Sequence, residues 1–400
     1  MKAFGKFFDK SATKSVLASL ISVLIGLLFG SLIVLIVAFT NSEITFKTGI
    51  EGVKLVFFGI FCKGREAGEL VFGFNPQYLG DLLFRATPLV LTGLSVSVAF
   101  KTGLFNIGAP GQYLMSTAAT LYLALTLPAD VIPAGLIWVI AFAGGILAGA
   151  LWGSIPGLLK ATLNINEVIS CIMTNWIAAN VVTWIFENSP LRNSDESSGG
   201  KIGYIKKTID NGVATPKLGL DKLLPGSQVN SGILIAIVIA VLVYIVMTKT
   251  TFGYQLKACG SNRFAAKYAG IADKRNIVLS MAIAGGLSGA AAALYYLSGN
   301  TEFFWSTYQS LPAVGFNGIP VALLAVNNPI GVIFAALFMS MLNISGTALK
   351  YLTPYNEYVT DIIIASIVYL SAFSLMIKLW LSKKKKTVNE SKNAKKEETV

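Results

Sequence analysis

The 400-residue sequence contains no histidine, only three cysteines and few charged residues. The lack of histidine removes the side chain that most often serves as a general base or a metal ligand. Cys62, Cys171 and Cys259 lie far apart, so their spacing provides neither a disulfide framework nor a zinc site. These absences argue against a histidine-dependent enzyme, a disulfide-rich secreted domain and a zinc protein.

Charge is also scarce, because charged residues make up 13% of the sequence and hydrophobic residues make up 54%. Soluble domains carry about a quarter charged residues, so this composition indicates that lipid is the main solvent. Many apolar runs approach the ~20 residues that a membrane-spanning helix needs. The composition therefore predicts an all-α, polytopic membrane helical bundle.

About ten transmembrane helices are predicted from the apolar runs. The eighth is the shortest candidate, and Gly315, Gly318 and Pro320 interrupt it. We retain it because an even number of crossings keeps both basic ends of the chain on one side of the membrane. The ten segments are 15–39, 82–100, 111–127, 133–151, 166–186, 232–247, 277–297, 311–326, 330–349 and 359–381.

The distribution of lysine predicts that both termini are cytoplasmic. Four lysines precede the first predicted helix, and residues 383–386 read KKKK. Positive residues concentrate on the cytoplasmic side of membrane proteins, which also accounts for the net charge of +12 without nucleic-acid binding. The predicted organisation is a cytoplasmic N-terminus (1–14), a transmembrane domain (15–381) and a basic cytoplasmic tail (382–400) that can touch anionic lipid headgroups.

Three connecting segments stand out between the predicted helices. External loops are expected at about 41–80 and 188–230, and a basic cytoplasmic loop at 249–276. The first external loop contains TGIEGVKLVFFGIF, which has the pattern of a short amphipathic helix along the outer membrane interface.

Small residues at four-residue spacing predict close helix packing within the bundle. Such spacing lets helix backbones approach closely in lipid. The fourth predicted helix carries one such row and the seventh carries another: Gly145, Gly149, Gly153 and Gly157, and Gly285, Gly289 and Ala293.

Polar side chains interrupt the apolar sequence at several places. The motifs GLFNIGAPGQ, NINEVISCIMTN and VGFNGIP carry most of them, and the ninth helix adds Asn343 and Ser345. Polar groups in a bundle face a partner, water or a pathway. Interhelical hydrogen bonding and a lining role for a neutral, hydroxyl-rich solute both remain open. The candidate lining residues are Asn106, Gln112, Glu167, Ser170, Thr174, Asn175 and Asn317.

The cytoplasmic loop contains SNRFAAKYAG, which predicts a short separate helix. Asn262 is a suitable N-cap, and Gly270 can take the left-handed conformation that ends a helix. Phe264 and Tyr268 are four residues apart, so they project from one face beside a basic stripe. Such a face suits a partner's groove or the membrane interface, and its spacing does not choose between them.

Four motifs together resemble a known family. GLFNIGAPGQ, ALWGSIPGLLKATLNINEVISCIMTNWIA, GSNRFAAKYAGI and GFNGIPVALLAVNNPIG are similar, in this order, to the permease subunits of bacterial nucleoside ABC importers. These subunits belong to the ribose-type and branched-chain amino-acid-type permease group. The similarity runs from about Leu82 to the ninth helix. One departure is Pro110, where many relatives have glutamate.

The resemblance implies a transport subunit of the bacterial plasma membrane, not an enzyme. The chain has no Gly-x4-Gly-Lys-Ser/Thr loop, so ATP and Mg²⁺ would bind a separate ATPase subunit. The other implied partners are a second permease subunit in a heterodimer, an extracytoplasmic substrate-binding lipoprotein and a nucleoside. The resemblance also implies a coupling helix that docks on the ATPase, formed by Asn262, Arg263, Phe264, Ala265, Ala266, Lys267, Tyr268, Ala269 and Gly270.

Three alternatives remain beside this interpretation. The same kind of permease could carry a simple sugar, riboflavin or another polar metabolite. An ion-coupled secondary transporter is disfavoured, because buried carboxylates are sparse and because the aromatic pair in the cytoplasmic loop suits docking on a separate ATPase. An intramembrane enzyme lacks support, since no catalytic constellation of side chains emerges.

Overall fold

The computed structural model describes residues 11–41, 44–193, 203–306 and 311–371. Helices dominate these residues, and each of the ten predicted helical segments corresponds to one of them. The helices are α1 (Ser11–Thr40), α2 (Phe46–Phe58), α3 (Pro76–Lys101), α4 (Ala109–Thr126), α5 (Ala134–Leu163), α6 (Glu167–Glu187), α7 (Leu220–Leu223), α8 (Gly232–Lys249), α9 (Thr251–Ser261), α10 (Arg263–Tyr268), α11 (Asp273–Tyr296), α12 (Ala313–Leu324), α13 (Pro329–Leu352) and α14 (Glu357–Ser371).

Six of the helices found in the described ranges are long and apolar enough to cross a membrane: α3, α5, α6, α8, α11 and α13. Leu24–Thr40 within α1, together with α12, forms shorter apolar helices. Helix α4 falls outside both groups, although it is helical as predicted, because polar residues occupy much of its first half. The end of the tenth predicted helix, from residue 372, lies outside the described residues.

Helix ends differ from the predicted ones where capping residues lie beyond the apolar runs. Helix α3 begins earlier than predicted because the Asn75 side chain accepts a hydrogen bond from the Tyr78 N–H, and Pro76 fits the first turn. Helix α5 continues through Pro156 and ends where Asn164 adopts a left-handed conformation, with φ of 55°.

Contacts between Cα atoms divide the described residues into two compact units. A central unit falls within Asn75–Ala322 and Asn327–Ser340, and a terminal unit falls within Met1–Phe74, Leu323–Val326 and Met341–Val400. In the central unit α11 packs along α5 and also contacts α3 and α4, while α4 contacts α5 and α6. In the terminal unit α1 packs against α2 and α14.

The predicted close packing through small residues is confirmed where α5 crosses α11. A Cβ added at Gly149 would lie 2.4 Å from the Gly285 carbonyl oxygen, and one added at Gly289 would lie 2.5 Å from the Gly145 carbonyl oxygen. The two backbones therefore touch directly, and no larger side chain fits between them.

Residues 41–80, which the sequence predicts to be external, contain the predicted helix α2, followed by a hairpin that was not predicted. The Thr45 hydroxyl caps α2 by accepting from the Thr48 N–H at 3.3 Å. Strands β1 (Cys62–Glu66) and β2 (Glu69–Phe72) pair antiparallel. Arg65 holds this hairpin to its unit: it binds the Glu51 carboxylate and donates to the Leu352 carbonyl oxygen at 2.8 Å.

The segment 188–230, which is also predicted to be external, is more structured than a loop. Strand β3 (Tyr204–Ile205) pairs antiparallel with β4 (Phe303–Phe304). The Asn211 amide donates to the Ala124 and Leu127 carbonyl oxygens at 2.8 and 3.0 Å, at the end of α4. Two-residue strands carry too little pattern to be seen in the sequence. Residues 194–202 of this segment lie outside the described residues.

Candidate functional site

The connection between α3 and α4 forms the first candidate site, and a turn shapes its beginning. The Thr102 hydroxyl donates to the Ala99 carbonyl oxygen at 2.8 Å, and Gly103 follows in a left-handed conformation with φ of 73°. Glycine adopts this conformation without strain. The chain therefore turns back sharply after α3 and delivers the GLFNIGAPGQ motif to the interior.

Asn106 and Gln112 bind each other through both ends of their carboxamides. Asn106 Nδ2 donates to Gln112 Oε1 at 2.9 Å, and Gln112 Nε2 donates to Asn106 Oδ1 at 2.9 Å. Asn106 Nδ2 also donates to the Ser95 hydroxyl on α3 at 3.0 Å. Both amides are fully buried. This pair fixes the connection against the first turn of α4.

Asn175 fastens the same connection to α6. Its Oδ1 accepts from the Gly111 N–H at 2.9 Å, and its Nδ2 donates to the Ile107 carbonyl oxygen at 3.0 Å. Gly111 lies in the first turn of α4, where backbone N–H groups have no partner within the helix. Asn175 thus caps α4 from a neighbouring helix, and Gly111 leaves room because a Cβ there would lie 2.7 Å from Asn175 Oδ1.

The structure therefore places Asn106, Gln112 and Asn175 together, in interhelical hydrogen bonds. This arrangement matches the first of the two interpretations that the sequence left open. Each amide is at most 2% exposed, so none of the three faces open space in this conformation. Their predicted role as pathway residues stays a prediction.

The remaining predicted residues of α6 have local partners. Glu167 forms an ion pair with Lys160 at 3.0 Å across the α5–α6 corner. The buried hydroxyls of Ser170 and Thr174 donate within the helix, to the Asn166 carbonyl oxygen at 3.1 Å and the Cys171 carbonyl oxygen at 3.0 Å. The predicted polar stripe therefore exists on the face that α6 turns toward the bundle.

Asn317 lies on α12, where it is half-buried. The helix around it packs closely: a Cβ at Gly315 would lie 2.6 Å from Pro110 Cα, and one at Gly318 would lie 2.6 Å from the Thr92 carbonyl oxygen. Pro110 therefore lies against α12 at the beginning of α4. A rigid pyrrolidine ring therefore fills the space between the beginning of α4 and α12.

The short helix predicted within the loop 249–276 is confirmed as α10. Asn262 Oδ1 accepts from the Ala265 N–H at 3.0 Å, and Gly270 has φ of 78° beyond the helix end. Phe264 and Tyr268 are 76% and 92% exposed, whereas Ala266 between them is buried. Packing against the described residues therefore does not account for the two rings.

The predicted basic stripe consists of Arg263 and Lys267, and one detail of it is wrong. Arg263 Nε donates to Asp273 Oδ2 at 2.6 Å, so this guanidinium is turned toward the beginning of α11 and only Lys267 is left exposed. The acid lies ten residues away across a turn, a pairing that helical spacing does not reveal.

Sequence reasoning missed the joint that connects α9 with the turn after α3. A Cβ at Gly260 would lie 2.5 Å from the Thr102 carbonyl carbon and 2.6 Å from the Gly103 nitrogen. The Thr102 hydroxyl also hydrogen-bonds the Ser280 hydroxyl on α11. We call this contact the Gly103–Gly260 joint. Two isolated glycines, 157 positions apart, gave no signal that they meet.

Comparison with a family model tests the resemblance that the four motifs suggested. The model of the family described as branched-chain amino acid transport system / permease component matches residues 78–372. The match covers both the amide cluster and α10. The resemblance inferred from the motifs is thus confirmed for the permease family.

Two permeases of nucleoside transporters are similar to this chain over most of their length. The chain is 35% identical over 309 residues, 77% of this chain and 85% of the relative, to the guanosine ABC transporter permease protein NupP of Bacillus subtilis. It is 34% identical over 333 residues, 79% and 89%, to the nucleoside ABC transporter permease protein NupB of Lactococcus lactis.

A third relative is named as the permease of a sugar transporter. The chain is 31% identical over 279 residues, 68% of this chain and 70% of the relative, to the glucose ABC transporter permease protein TsgB13 of Haloferax volcanii. No solved structure matches the chain.

These similarities agree with the helical architecture and the candidate membrane spans. The chain belongs to the branched-chain amino acid transport system / permease component family, as a multi-pass ABC importer permease that acts as a transport subunit and not as an enzyme.

Proposed function

We propose that this chain is the permease through which a bacterial ABC importer takes up nucleosides across the plasma membrane. The observation that carries the proposal is that two relatives of at least 34% identity, each covering more than three quarters of this chain, are named as guanosine and nucleoside permeases. The polar groups of the central unit are compatible with nucleoside transport, because neutral amides and hydroxyls bind an uncharged polar solute without a counter-ion.

The proposed topology has ten crossings and both termini in the cytoplasm. Besides the six long apolar helices, α1, α4, α12 and α14 cross the membrane in this arrangement. Residues 41–80 and 188–230 then lie outside, where a substrate-binding lipoprotein would dock. The loop 249–276, which contains α9 and α10, lies in the cytoplasm with the tail 382–400. The basic ends of the chain support this orientation.

Helix α10 is the proposed coupling helix, which docks on an ATPase that binds ATP and Mg²⁺. Its two exposed rings lie four residues apart, and its other side is held to the permease through Ala266 and the Arg263–Asp273 ion pair. Exposed aromatic side chains on a rigid base are typical anchors of a protein interface. A short helix held in this way can transmit motion of the ATPase without unfolding.

The proposed route of transmission runs from α10 through α9 to the Gly103–Gly260 joint. Backbone lies on backbone at that joint, so a movement of α9 shifts the turn after α3. The turn continues into Asn106, whose amide is bound to Gln112 on α4. Closure of paired ATPases would thereby tilt α4 and α6 and switch the side to which the passage opens. ATP drives this cycle only insofar as it binds one state more tightly than the other.

Transport competition in a reconstituted system tests the substrate. The chain is assembled in proteoliposomes with its second permease subunit, its ATPase and its binding lipoprotein, and uptake of a radiolabelled nucleoside is measured with ATP inside. We expect other nucleosides to compete and glucose to leave uptake unchanged. A simple sugar is the second candidate, because one relative is named as a glucose permease. This candidate would be favoured if no nucleoside were taken up or competed for uptake.

A further inference from the structure

Helix α6 exposes a face that differs from its buried one. Ser170, Thr174 and Asn175 lie on the side packed against α4 and α5, and the opposite side faces away from the chain. That outward side contains Ile169, Met173, Trp176, Asn180 and Trp184, all exposed. We call it the outer face of α6.

The exposed faces of α5 and α8 have a different composition. Helix α5 exposes Leu147, Leu151 and Leu158, and α8 exposes Val238 and Leu242. These hydrocarbon side chains suit lipid tails and need no other neighbour. The outer face of α6 instead combines a carboxamide with two indoles, so lipid alone does not account for it.

Asn180 lies well within the span. It follows Glu167 by thirteen positions, which places it about 20 Å along the helix at 1.5 Å per residue. Its Nδ2 donates to the Trp176 carbonyl oxygen at 2.8 Å, and its Oδ1 has no partner among the described residues. An exposed amide with a free acceptor is costly in hydrocarbon, so this position indicates contact with water, a polar solute or a polar group of a partner subunit.

The indoles flank this amide on the same side. Trp176 precedes Asn180 by four residues and Trp184 follows it by four, which aligns the three along the helix. Flat indole rings stack on the faces of nucleobases, and a carboxamide oxygen accepts hydrogen bonds from base N–H groups. The row thus offers a stacking surface beside an acceptor.

We propose that Trp176 and Asn180 contact the nucleobase of the solute as it moves along the outer face of α6. Trp184 lies nearer the outer membrane surface and would meet the base first. This inference rests on the proposed nucleoside function and names the residues that recognise its base. The passage is then bounded by this face and by the second permease subunit, since the amide cluster is closed within the chain.

Cysteine accessibility tests whether the face is wet. The native cysteines are all buried, so a single introduced cysteine can be labelled with a membrane-impermeant maleimide. In the assembled transporter in proteoliposomes we expect Asn180→Cys to react at least tenfold faster than the matched controls Leu147→Cys and Val238→Cys. Equal rates at all three positions would overturn the inference, while the competition assay for nucleoside uptake would be unaffected.

Solute protection and uptake test the contact with the base. We expect guanosine, and not glucose, to slow labelling of Asn180→Cys. Trp176→Ala should raise the KM for nucleoside uptake at least about fivefold, which corresponds to the lower end of the energy of one base–aromatic stack. Trp176→Phe should restore most of the affinity, and Leu147→Ala should have no effect. Protection by glucose alone, or an unchanged KM in Trp176→Ala, would refute base recognition here.

Discussion

Asn106 and Gln112 exchange two hydrogen bonds of 2.9 Å, which close a ring between the turn after α3 and the first turn of α4. Asn175 on α6 binds the residues next to this ring: its side chain accepts from the Gly111 N–H and donates to the Ile107 carbonyl oxygen. Three helices are thereby held at one buried place. This rigidity makes the connection suitable for transmitting a movement from one helix to another.

The first prediction concerns the stability of this ring. Asn106→Ala should lower the free energy of unfolding by about 1–3 kcal/mol, because it leaves the buried Gln112 amide without its partner. Thermal unfolding of the purified protein in detergent measures the change. The double variant Asn106→Ala/Gln112→Leu should lose less free energy of unfolding than the two single variants lose in sum. Strict additivity of the two would show that the carboxamides do not depend on each other.

The second prediction concerns the Gly103–Gly260 joint. Gly260→Ala adds a Cβ only 2.5 Å from the Thr102 carbonyl carbon, so α9 must move away from the turn. We expect the permease to retain its ATPase during co-purification and to lose most solute-stimulated ATP hydrolysis. The control is Gly135→Ala, where nothing lies within 4 Å of an added Cβ. Normal stimulation in Gly260→Ala would remove the joint from the route of coupling.

The third prediction concerns the α5–α11 crossing. Gly285→Ala places a Cβ 2.1 Å from the Gly149 carbonyl oxygen, and overpacking of this kind costs about 1–3 kcal/mol. Its neighbour Gly286 has its nearest contact at 3.5 Å, so Gly286→Ala should leave stability almost unchanged. The melting temperatures of the two variants measure this difference, and we expect the lower value for Gly285→Ala. Similar values would mean that the helices separate easily at this crossing.

The fourth prediction concerns the proposed coupling helix. Changing Phe264 and Tyr268 together to Ala should leave the protein in the membrane, because neither ring packs within the chain. Co-purification with the ATPase and solute-stimulated hydrolysis should both be lost. Tyr351→Ala removes a side chain of comparable exposure, 75%, from the end of α13 that faces outside in the proposed topology. If the double variant keeps both properties, α10 is not the docking helix.

Much of this fold follows from the sequence, because apolar runs and capping signals act locally. The ten helical segments came from composition, and α10 came from Asn262 and Gly270 at its two ends. The pairing of Arg263 with Asp273, the Gly103–Gly260 joint and the hairpin of β1 and β2 depend on which segments meet in space. The sequence identified Asn106 and Gln112 as candidate lining residues, but it could not show that their amides bind each other.

The central claim is that this permease moves solute only when a separate ATPase drives it. The most direct measurement is nucleoside uptake by proteoliposomes that contain the full assembly, with and without ATP inside, and by proteoliposomes that contain this chain alone. We predict uptake against a gradient only for the full assembly with ATP, and no effect of a protonophore. Undiminished uptake without nucleotide, or uptake that a protonophore abolishes, would contradict the account.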